Sequence, residues 1–85
     1  MPQQVTIYTT SYCPYCQRAK ALLKQKKVAF KEMDLTEDDN KRTELEEKTG
    51  WMTVPMIFIG NDFIGGFDET SALEASGELD KKLKD

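Results

Sequence analysis

Four residues, Cys13-Pro14-Tyr15-Cys16, separate a β-type run at 5–8 from a helix-type run at 17–27. Two cysteines spaced by two residues at a strand-to-helix junction are typical of a redox dithiol. Proline is favoured at the first helical position, so Cys13 is expected at the helix N-terminus, where unpaired amides and the helix dipole stabilise a thiolate. Because the thiolate is the nucleophilic form of cysteine, the motif predicts a reactive thiol at Cys13 and a partner thiol at Cys16.

Other uses of two cysteines are less consistent with this sequence. A structural zinc site needs four ligands, and the chain has two cysteines and no histidine, so we predict no metal site. A disulfide that closes a four-residue loop stabilises by only about 2 kcal/mol before ring strain. Buried, unreactive thiols remain an open alternative, since free cysteine is often buried.

Composition limits the kinds of protein that this chain can be. Its 85 residues, 39% of them hydrophobic, can form one small core, so we expect a single domain over residues 1–85. The net charge of −3, with both signs interspersed, argues against nucleic acid or an anionic membrane as a partner. The longest apolar stretch, 54–59, is too short to span a bilayer, and residues 1–4 begin no targeting signal. We therefore expect a cytoplasmic monomer, in a compartment where a dithiol is more often catalytic than structural.

The first half of the sequence predicts a strand, a helix and a second strand. Residues 4–9 suit a strand, 14–26 suit a helix, and Val28 and Phe30 begin another strand. A crossover helix of this length implies parallel strands. A second helix is expected to be capped by Thr36, to end near Gly50 and to have Leu45 as its only clear apolar anchor.

The second half predicts a β-hairpin followed by helix. Residues 55–59 read as a buried strand, 60–62 as a turn and 63–64 as a short returning strand. Asp68 is expected to cap a third helix that breaks at Gly77. The order β-α-β-α-β-β-α predicts an α/β fold with a four-stranded mixed sheet flanked by three or more helices.

Three motifs follow one another along the chain: Cys13 to Cys16, Thr53-Val54-Pro55, and Ile64-Gly65-Gly66-Phe67-Asp68. In this order they resemble the motifs of the dithiol glutaredoxins of the small bacterial type, which have the thioredoxin fold. The resemblance covers essentially the whole chain. It implies a glutathione-dependent oxidoreductase that reduces protein disulfides and protein–glutathione mixed disulfides. Glutathione would be a co-substrate, and no bound cofactor is expected.

The resemblance also implies a glutathione site. Thr53, Val54 and a cis Pro55 would hold the cysteinyl part of glutathione beside the reactive sulfur, by strand-like pairing with the Val54 backbone. Tyr15 would form a wall of the site.

The γ-glutamyl end of glutathione would bind at the start of the third helix. The amides of Gly66 and Phe67 would receive its carboxylate, and Asp68 would face its ammonium. As alternatives, Gly65-Gly66 would be only a tight turn, and Asp68 only a helix cap.

Arg42 or Lys41 would bind the glycyl carboxylate of glutathione; as the alternative, both are ordinary surface charges. Residues 8–11 are uncharged, although many members of the family carry a lysine or arginine there. Trp51 is ambiguous between packing and a role beside Thr53.

Two other functions stay open from the sequence. One is a redoxin that is reduced by thioredoxin reductase and donates electrons to ribonucleotide reductase. The other is a carrier in which two chains and two glutathiones hold a [2Fe–2S] cluster through Cys13. The Gly66–Asp68 loop favours a glutathione user over the first, and the Pro14-Tyr15 pair argues against the second.

Overall fold

The computed structural model describes residues 4–84 as four strands and four helices. The strands are β1 (Val5–Thr9), β2 (Phe30–Asp34), β3 (Met56–Ile59) and β4 (Asp62–Gly65), and the helices are α1 (Pro14–Gln25), α2 (Asp39–Thr49), α3 (Phe67–Ser76) and α4 (Glu78–Lys84). The predicted order is confirmed, with the break at Gly77 separating α3 from α4. Residues 1–3, for which the sequence predicts no targeting signal, lie outside the described part of the chain.

The sheet has the order β2-β1-β3-β4. β1 pairs in parallel with β2, as the crossover helix predicts, and it pairs antiparallel with β3 on its other side. β4 returns antiparallel to β3, with a register shift between Ile57 and Phe58. The structure therefore has the mixed four-stranded sheet of the thioredoxin fold.

Each face of the sheet has its own apolar core. Side chains on one face pack against α1, α3 and α4; the buried members are Val5, Ile7, Ala19, Leu23, Ile57, Ile59, Leu79 and Leu83. The opposite face packs against α2 through a smaller cluster of Leu35, Leu45, Met56 and Phe58. Leu45 is the only buried residue of α2, as the sequence predicts, so this helix is attached mainly through one side chain.

Two predicted helix caps are wrong. The residue that caps α2 is Asp38, whose carboxylate accepts a hydrogen bond from the Lys41 amide at 3.0 Å. The Thr36 hydroxyl is engaged elsewhere, since it accepts a hydrogen bond from the Ser11 amide. The cap residue of α3 is Gly66, and Asp68 lies inside the first turn. In α2 the Thr36 hydroxyl is used by the tertiary contact with Ser11, so Asp38 caps the helix instead. In α3 the helix already begins at Phe67, so Asp68 lies too far along the chain to be its cap.

No helix within residues 4–84 has the length and apolar character needed to cross a membrane.

Candidate active site

The two cysteines lie at the beginning of α1 in different environments. Cys13 is the N-cap residue and is partly exposed, while Pro14 occupies the first helical position as predicted. Cys16, one turn further along, has no exposed surface. Both are free thiols. The amide of Cys13 donates to the Thr10 carbonyl at 3.4 Å, which fixes the turn between β1 and α1. One sulfur is thus open to a substrate, and the other lies behind it.

The burial of Cys16 changes its chemistry. Loss of water around the sulfur, reinforced by the neighbouring Cys13, raises the pKa of Cys16 to about 12, although the Thr10 backbone N–H partly offsets this. Cys16 therefore stays protonated at neutral pH, and Cys13 is the sulfur that is available for nucleophilic attack. The roles assigned from the sequence, Cys13 as nucleophile and Cys16 as resolving thiol, stay a prediction.

The Cys13 sulfur faces the turn that precedes β3. Its Sγ lies 3.5 Å from the carbonyl oxygen of Val54, and the Val54–Pro55 peptide bond is cis, as the resemblance implies. Antiparallel pairing of β1 with β3 brings the end of one strand to the start of the other, and Tyr8 pairs with Met56. The sheet thus places residues 13 and 54 side by side.

A cavity of about 370 Å³ extends from this turn to the start of α3. The volume is within the range of sites for small ligands. Nine residues line the cavity, namely Tyr15, Trp51, Thr53, Val54, Pro55, Gly66, Phe67, Asp68 and Glu69. All of the predicted glutathione-binding residues except Arg42 are therefore brought together around one cavity.

A larger depression of about 540 Å³ lies near Ser11, Asp34, Thr36, Glu37 and Asp38. All of its lining residues are polar or acidic, and it lacks the apolar walls that are typical of small-molecule sites. The smaller cavity is therefore the better candidate for the active site.

The aromatic side of the cavity is formed by residues from two helices. The rings of Tyr15 and Phe67 lie 6.4 Å apart, and the guanidinium of Arg18 lies 5.3 Å from the centre of the Tyr15 ring. Tyr15 is 52% exposed, which is high for a large ring and consistent with the predicted wall of a binding site. These contacts hold the ring of Tyr15 beside the reactive cysteine.

The start of α3 is organised by Glu69. Its Oε1 accepts a hydrogen bond from the Gly66 amide at 2.9 Å, while the carbonyl of Gly66 accepts from the Thr70 hydroxyl, also at 2.9 Å. The carboxylate folds back over two glycines: a β-carbon on Gly65 would lie 2.9 Å from Cγ of Glu69, and the φ of Gly65 is +123°. The double glycine is thus a turn that leaves room for this side chain. The first-turn amides of a helix have no intrahelical partner, so they are suited to bind an anion at this end of the cavity.

Two residues of the cavity were not predicted as part of the site. The sequence does not decide between packing and a site role for Trp51; in the structure its ring lines the cavity and packs on Phe63 with the centroids 5.7 Å apart. Its Nε1 is buried and finds no hydrogen-bond partner in residues 4–84, so packing holds the ring. The signal for Glu69 in the sequence is its position three residues after the N-cap Gly66, where glutamate is typical of a capping interaction.

The two predicted cationic residues lie in different places. Arg42 lies near the active-site turn, with its Nη1 3.5 Å from the Tyr12 hydroxyl and its Nε 3.6 Å from Glu46. Lys41 points elsewhere: it lies with Thr6, Tyr8 and Asn61 around a separate cavity. Neither lines the 370 Å³ cavity. Only Arg42 is close to the loop that carries Cys13.

Comparison with known proteins agrees with the site. The family model described as glutaredoxin matches residues 5–64. Glutaredoxin 3 of Escherichia coli K12 is 50% identical over 80 residues, which cover 94% of this chain and 96% of that protein. A glutaredoxin of Pseudomonas aeruginosa is 49% identical over 79 residues, covering 93% and 94% of the two chains.

Solved structures give the same result. A complex of buckwheat glutaredoxin with glutathione superposes with a TM-score of 0.90 at 31% identity, covering 94% of this chain and 76% of that one. The solution structure of a Brucella melitensis glutaredoxin has a TM-score of 0.88 at 47% identity, with 98% and 90% covered. With the cysteine pair, the thioredoxin fold and these matches in agreement, the chain belongs to the glutaredoxin family of glutathione-dependent thiol–disulfide oxidoreductases.

Proposed function

We propose that the 370 Å³ cavity is the glutathione site and that Cys13 attacks disulfides held in it. The observation that carries this proposal is the position of the Cys13 sulfur, 3.5 Å from the Val54 carbonyl at the wall of the cavity. An extended peptide paired with the Val54 backbone would have its own cysteine sulfur next to Cys13. The glutathione complex of the buckwheat relative supports the choice of ligand.

The two ends of the tripeptide would be held by different groups. The γ-glutamyl carboxylate would accept hydrogen bonds from the amides at the start of α3, including that of Phe67. It would also accept one from the Gly66 amide, which would then replace the hydrogen bond that this amide donates to Glu69. Asp68 would face the ammonium, and Thr53 and Pro55 would frame the cysteinyl residue. Arg42 would approach the glycyl carboxylate from the side of Tyr12.

With a glutathionylated protein, the Cys13 thiolate attacks the glutathione sulfur. The protein–glutathione disulfide breaks, the protein thiolate leaves and takes up a proton, and Cys13 forms a mixed disulfide with glutathione. The thiolate of a second glutathione then attacks the bound glutathione sulfur, which gives glutathione disulfide and frees Cys13. The net reaction consumes one free glutathione thiol: the protein sulfur is reduced to a thiol, and the disulfide bond passes to the two glutathiones.

With a protein disulfide, Cys13 attacks a protein sulfur and Cys16 resolves the product. Attack by the Cys16 sulfur on that of Cys13 releases the protein as a dithiol and leaves a Cys13–Cys16 disulfide. Two glutathiones then reduce this bond. Because burial raises the pKa of Cys16 to about 12, the resolving step requires that Cys16 lose its proton as the mixed disulfide forms. The reduction of glutathionylated proteins is simpler, because it does not require Cys16 to lose a proton.

The protein partners of this reaction are proposed by class only. Disulfide-bonded and glutathionylated proteins, with ribonucleotide reductase among the candidates, fit the chemistry. A cytoplasmic location and a monomeric state stay predictions from the sequence.

The test is turnover of a glutathionylated peptide by glutathione, glutathione reductase and NADPH. Cys13→Ser should abolish turnover, while Cys16→Ser should retain it, because glutathione resolves the Cys13 mixed disulfide. With a protein disulfide as substrate, Cys16→Ser should lose the two-cysteine route. Loss of both activities in the Cys16→Ser variant would contradict the route proposed for glutathionylated proteins.

A further inference from the structure

Lys20 lies one turn after Cys16 on the same side of α1. Residues four apart on a helix are neighbours, with β-carbons about 5–6 Å apart, and helical side chains lean toward the helix N-terminus. The side chain of Lys20 is only 17% exposed, although lysine is almost never buried unless it has a partner. Its position and its burial therefore place Lys20 beside the buried thiol of Cys16.

The partner of Lys20 is Glu32 on β2. The Lys20 ammonium lies 2.9 Å from Oε2 of Glu32, and the same oxygen accepts a hydrogen bond from the hydroxyl of the buried Thr9 at 2.8 Å. Thr9 is the last residue of β1 and precedes Thr10, whose backbone N–H is hydrogen-bonded to the Cys16 sulfur. The ammonium is thus held near the end of β1, in the part of the fold where the Cys16 sulfur lies.

Lys20 favours the charged form of Cys16. Burial raises the pKa of Cys16 to about 12 and the Cys13 thiol adds to this, whereas the Thr10 N–H and the Lys20 ammonium act in the opposite direction. Once Cys13 is part of a mixed disulfide, it can no longer carry a negative charge that opposes a Cys16 thiolate. The Thr10 N–H and the Lys20 ammonium then offset the cost of burial at the step in which Cys16 must lose its proton.

We propose that Lys20 is a positioning residue of the two-cysteine route, and that its ammonium stabilises the thiolate that Cys16 forms as it attacks the Cys13 mixed disulfide. The Cys16–Cys13 bond forms, the bond from Cys13 to the substrate sulfur breaks, and the leaving thiolate takes up a proton in place of the one that Cys16 releases. The inference rests on the proposed function, in which Cys16 is the resolving thiol. The competing explanation is structural: Lys20 would only tie α1 to β2 through Glu32.

The resolving step can be measured without glutathione. The reduced protein is mixed in a stopped-flow spectrometer with one equivalent of dithiodipyridine, an uncharged aromatic disulfide. Attack by Cys13 releases one thiopyridone, and attack by Cys16 on the resulting mixed disulfide releases the second. Because the chain has only these two cysteines, the two phases of absorbance report the two steps separately.

Three variants test the charge of Lys20. Lys20→Met keeps a long side chain without the charge, and it should slow the second phase by a factor between about 1.4 and about 5, the range of one partly exposed charge interaction. Lys20→Arg keeps the charge and should restore most of the rate. The first phase should change little, because Cys13 is about 10 Å from Lys20 along the helix. Lys24→Met removes an exposed lysine one turn further from Cys16 and is the matched control.

Glu32→Gln separates the charge of Lys20 from its ion pair. This variant breaks the ion pair but leaves the ammonium and an oxygen that can accept a hydrogen bond from it. The proposal predicts that Glu32→Gln does not slow the second phase, whereas a purely structural role predicts the same slowing as in Lys20→Met. Added salt should also reduce the difference between the wild-type and Lys20→Met proteins, because salt screens charge interactions.

The outcomes distinguish the two explanations. A second phase that is slower in Lys20→Met but not in Lys24→Met or Glu32→Gln supports the proposal. An unchanged second phase in Lys20→Met, or an equal slowing in Glu32→Gln, would overturn it. If Lys20→Met does not fold, Lys20→Gln, which can still donate to Glu32, takes its place. Failure of the resolving role proposed for Cys16 would be seen differently, since the wild-type protein would then release only one thiopyridone.

Discussion

The hydroxyl oxygen of Thr36 accepts a hydrogen bond from the backbone amide of Ser11 at 2.8 Å, although the two residues are 25 positions apart. The same hydroxyl donates to the carboxylate of Asp34, at the end of β2. This bond lowers the pKa of Asp34 and keeps the acceptor ionised. The loop after β2 therefore fixes the turn that leads into Cys13.

We expect Thr36→Val to destabilise the protein by about 0.5–1.5 kcal/mol, the usual net value of one hydrogen bond. It should also reduce kcat/KM a few-fold, because the turn before Cys13 loses its support. Urea denaturation and the glutathione-coupled assay measure the two effects. Thr36→Ser keeps the hydroxyl and should restore activity; a Thr36→Val protein with unchanged activity would show that the turn is held without this contact.

Iodoacetamide should label Cys13 and leave Cys16 unmodified at pH 7. Cys16 is fully buried, and burial raises its pKa from 9.0 to about 12, which lowers its thiolate fraction about a thousandfold. Peptide mass spectrometry after short exposure identifies the labelled residue. In urea both residues should react at similar rates, which serves as the control. Preferential labelling of Cys16 in the folded protein would reverse the assigned roles.

Gly65→Ala should be more destabilising than Gly77→Ala. Both positions have positive φ, +123° and +82°, so each substitution introduces backbone strain of about 1–3 kcal/mol. Only at Gly65 would the new β-carbon approach Cγ of Glu69, at 2.9 Å, whereas nothing lies within 4 Å at Gly77. We therefore expect Gly65→Ala also to raise the KM for glutathione. Equal unfolding free energies and KM values for the two variants would contradict this account of Glu69.

Arg42→Ala should raise the KM for glutathione, and Lys41→Ala should not. Arg42 lies next to Tyr12 in the active-site turn, while Lys41 lies around another cavity and pairs with Glu44 at 3.6 Å. An exposed charge pair contributes about 0.2–1 kcal/mol, so the KM should rise by a factor between about 1.4 and about 5. The effect should weaken at high salt, because salt screens exposed charges. Equal KM values for the two variants would remove Arg42 from the site.

Acid should remove a contribution to stability that depends on Glu32. The ammonium of Lys20, 2.9 Å away, and then the Thr9 hydroxyl lower the pKa of Glu32. A lowered pKa means that the stabilisation is complete above the ordinary glutamate pKa of about 4.3 and is lost as pH falls through the lower value of the folded protein. Because the pair is partly exposed, we expect Glu32→Gln to cost at most about 1 kcal/mol at neutral pH.

Urea denaturation of the wild-type and Glu32→Gln proteins at several pH values measures this contribution. The difference between them should shrink as pH falls below about 4 and should vanish once Glu32 is protonated. A difference that stays constant in acid would mean that the substitution acts through packing.

The strands and the helix ends were predictable from the sequence, because local patterns of residues determine them. Alternating apolar residues identified the strands, and Gly50 and Gly77, both of which end helices with positive φ, marked helix ends correctly. Thr36 was assigned as a cap because its partner Ser11 is distant in the sequence, so the competing contact had no local signal. The motifs identified most of the cavity, but Trp51 required the fold, since only the sheet brings it opposite Gly66.

The pairing of Tyr8 with Met56 sets the alignment of the whole active site. A slip of two residues between β1 and β3 would preserve the inward and outward alternation of side chains, yet it would move Val54 about 7 Å along the sheet relative to Cys13. A substrate sulfur aligned by the Val54 backbone would then be out of bonding range of the nucleophile. Disulfide exchange therefore requires one register of β1 against β3, whereas the inward and outward alternation that buries the core would also allow a register shifted by two residues.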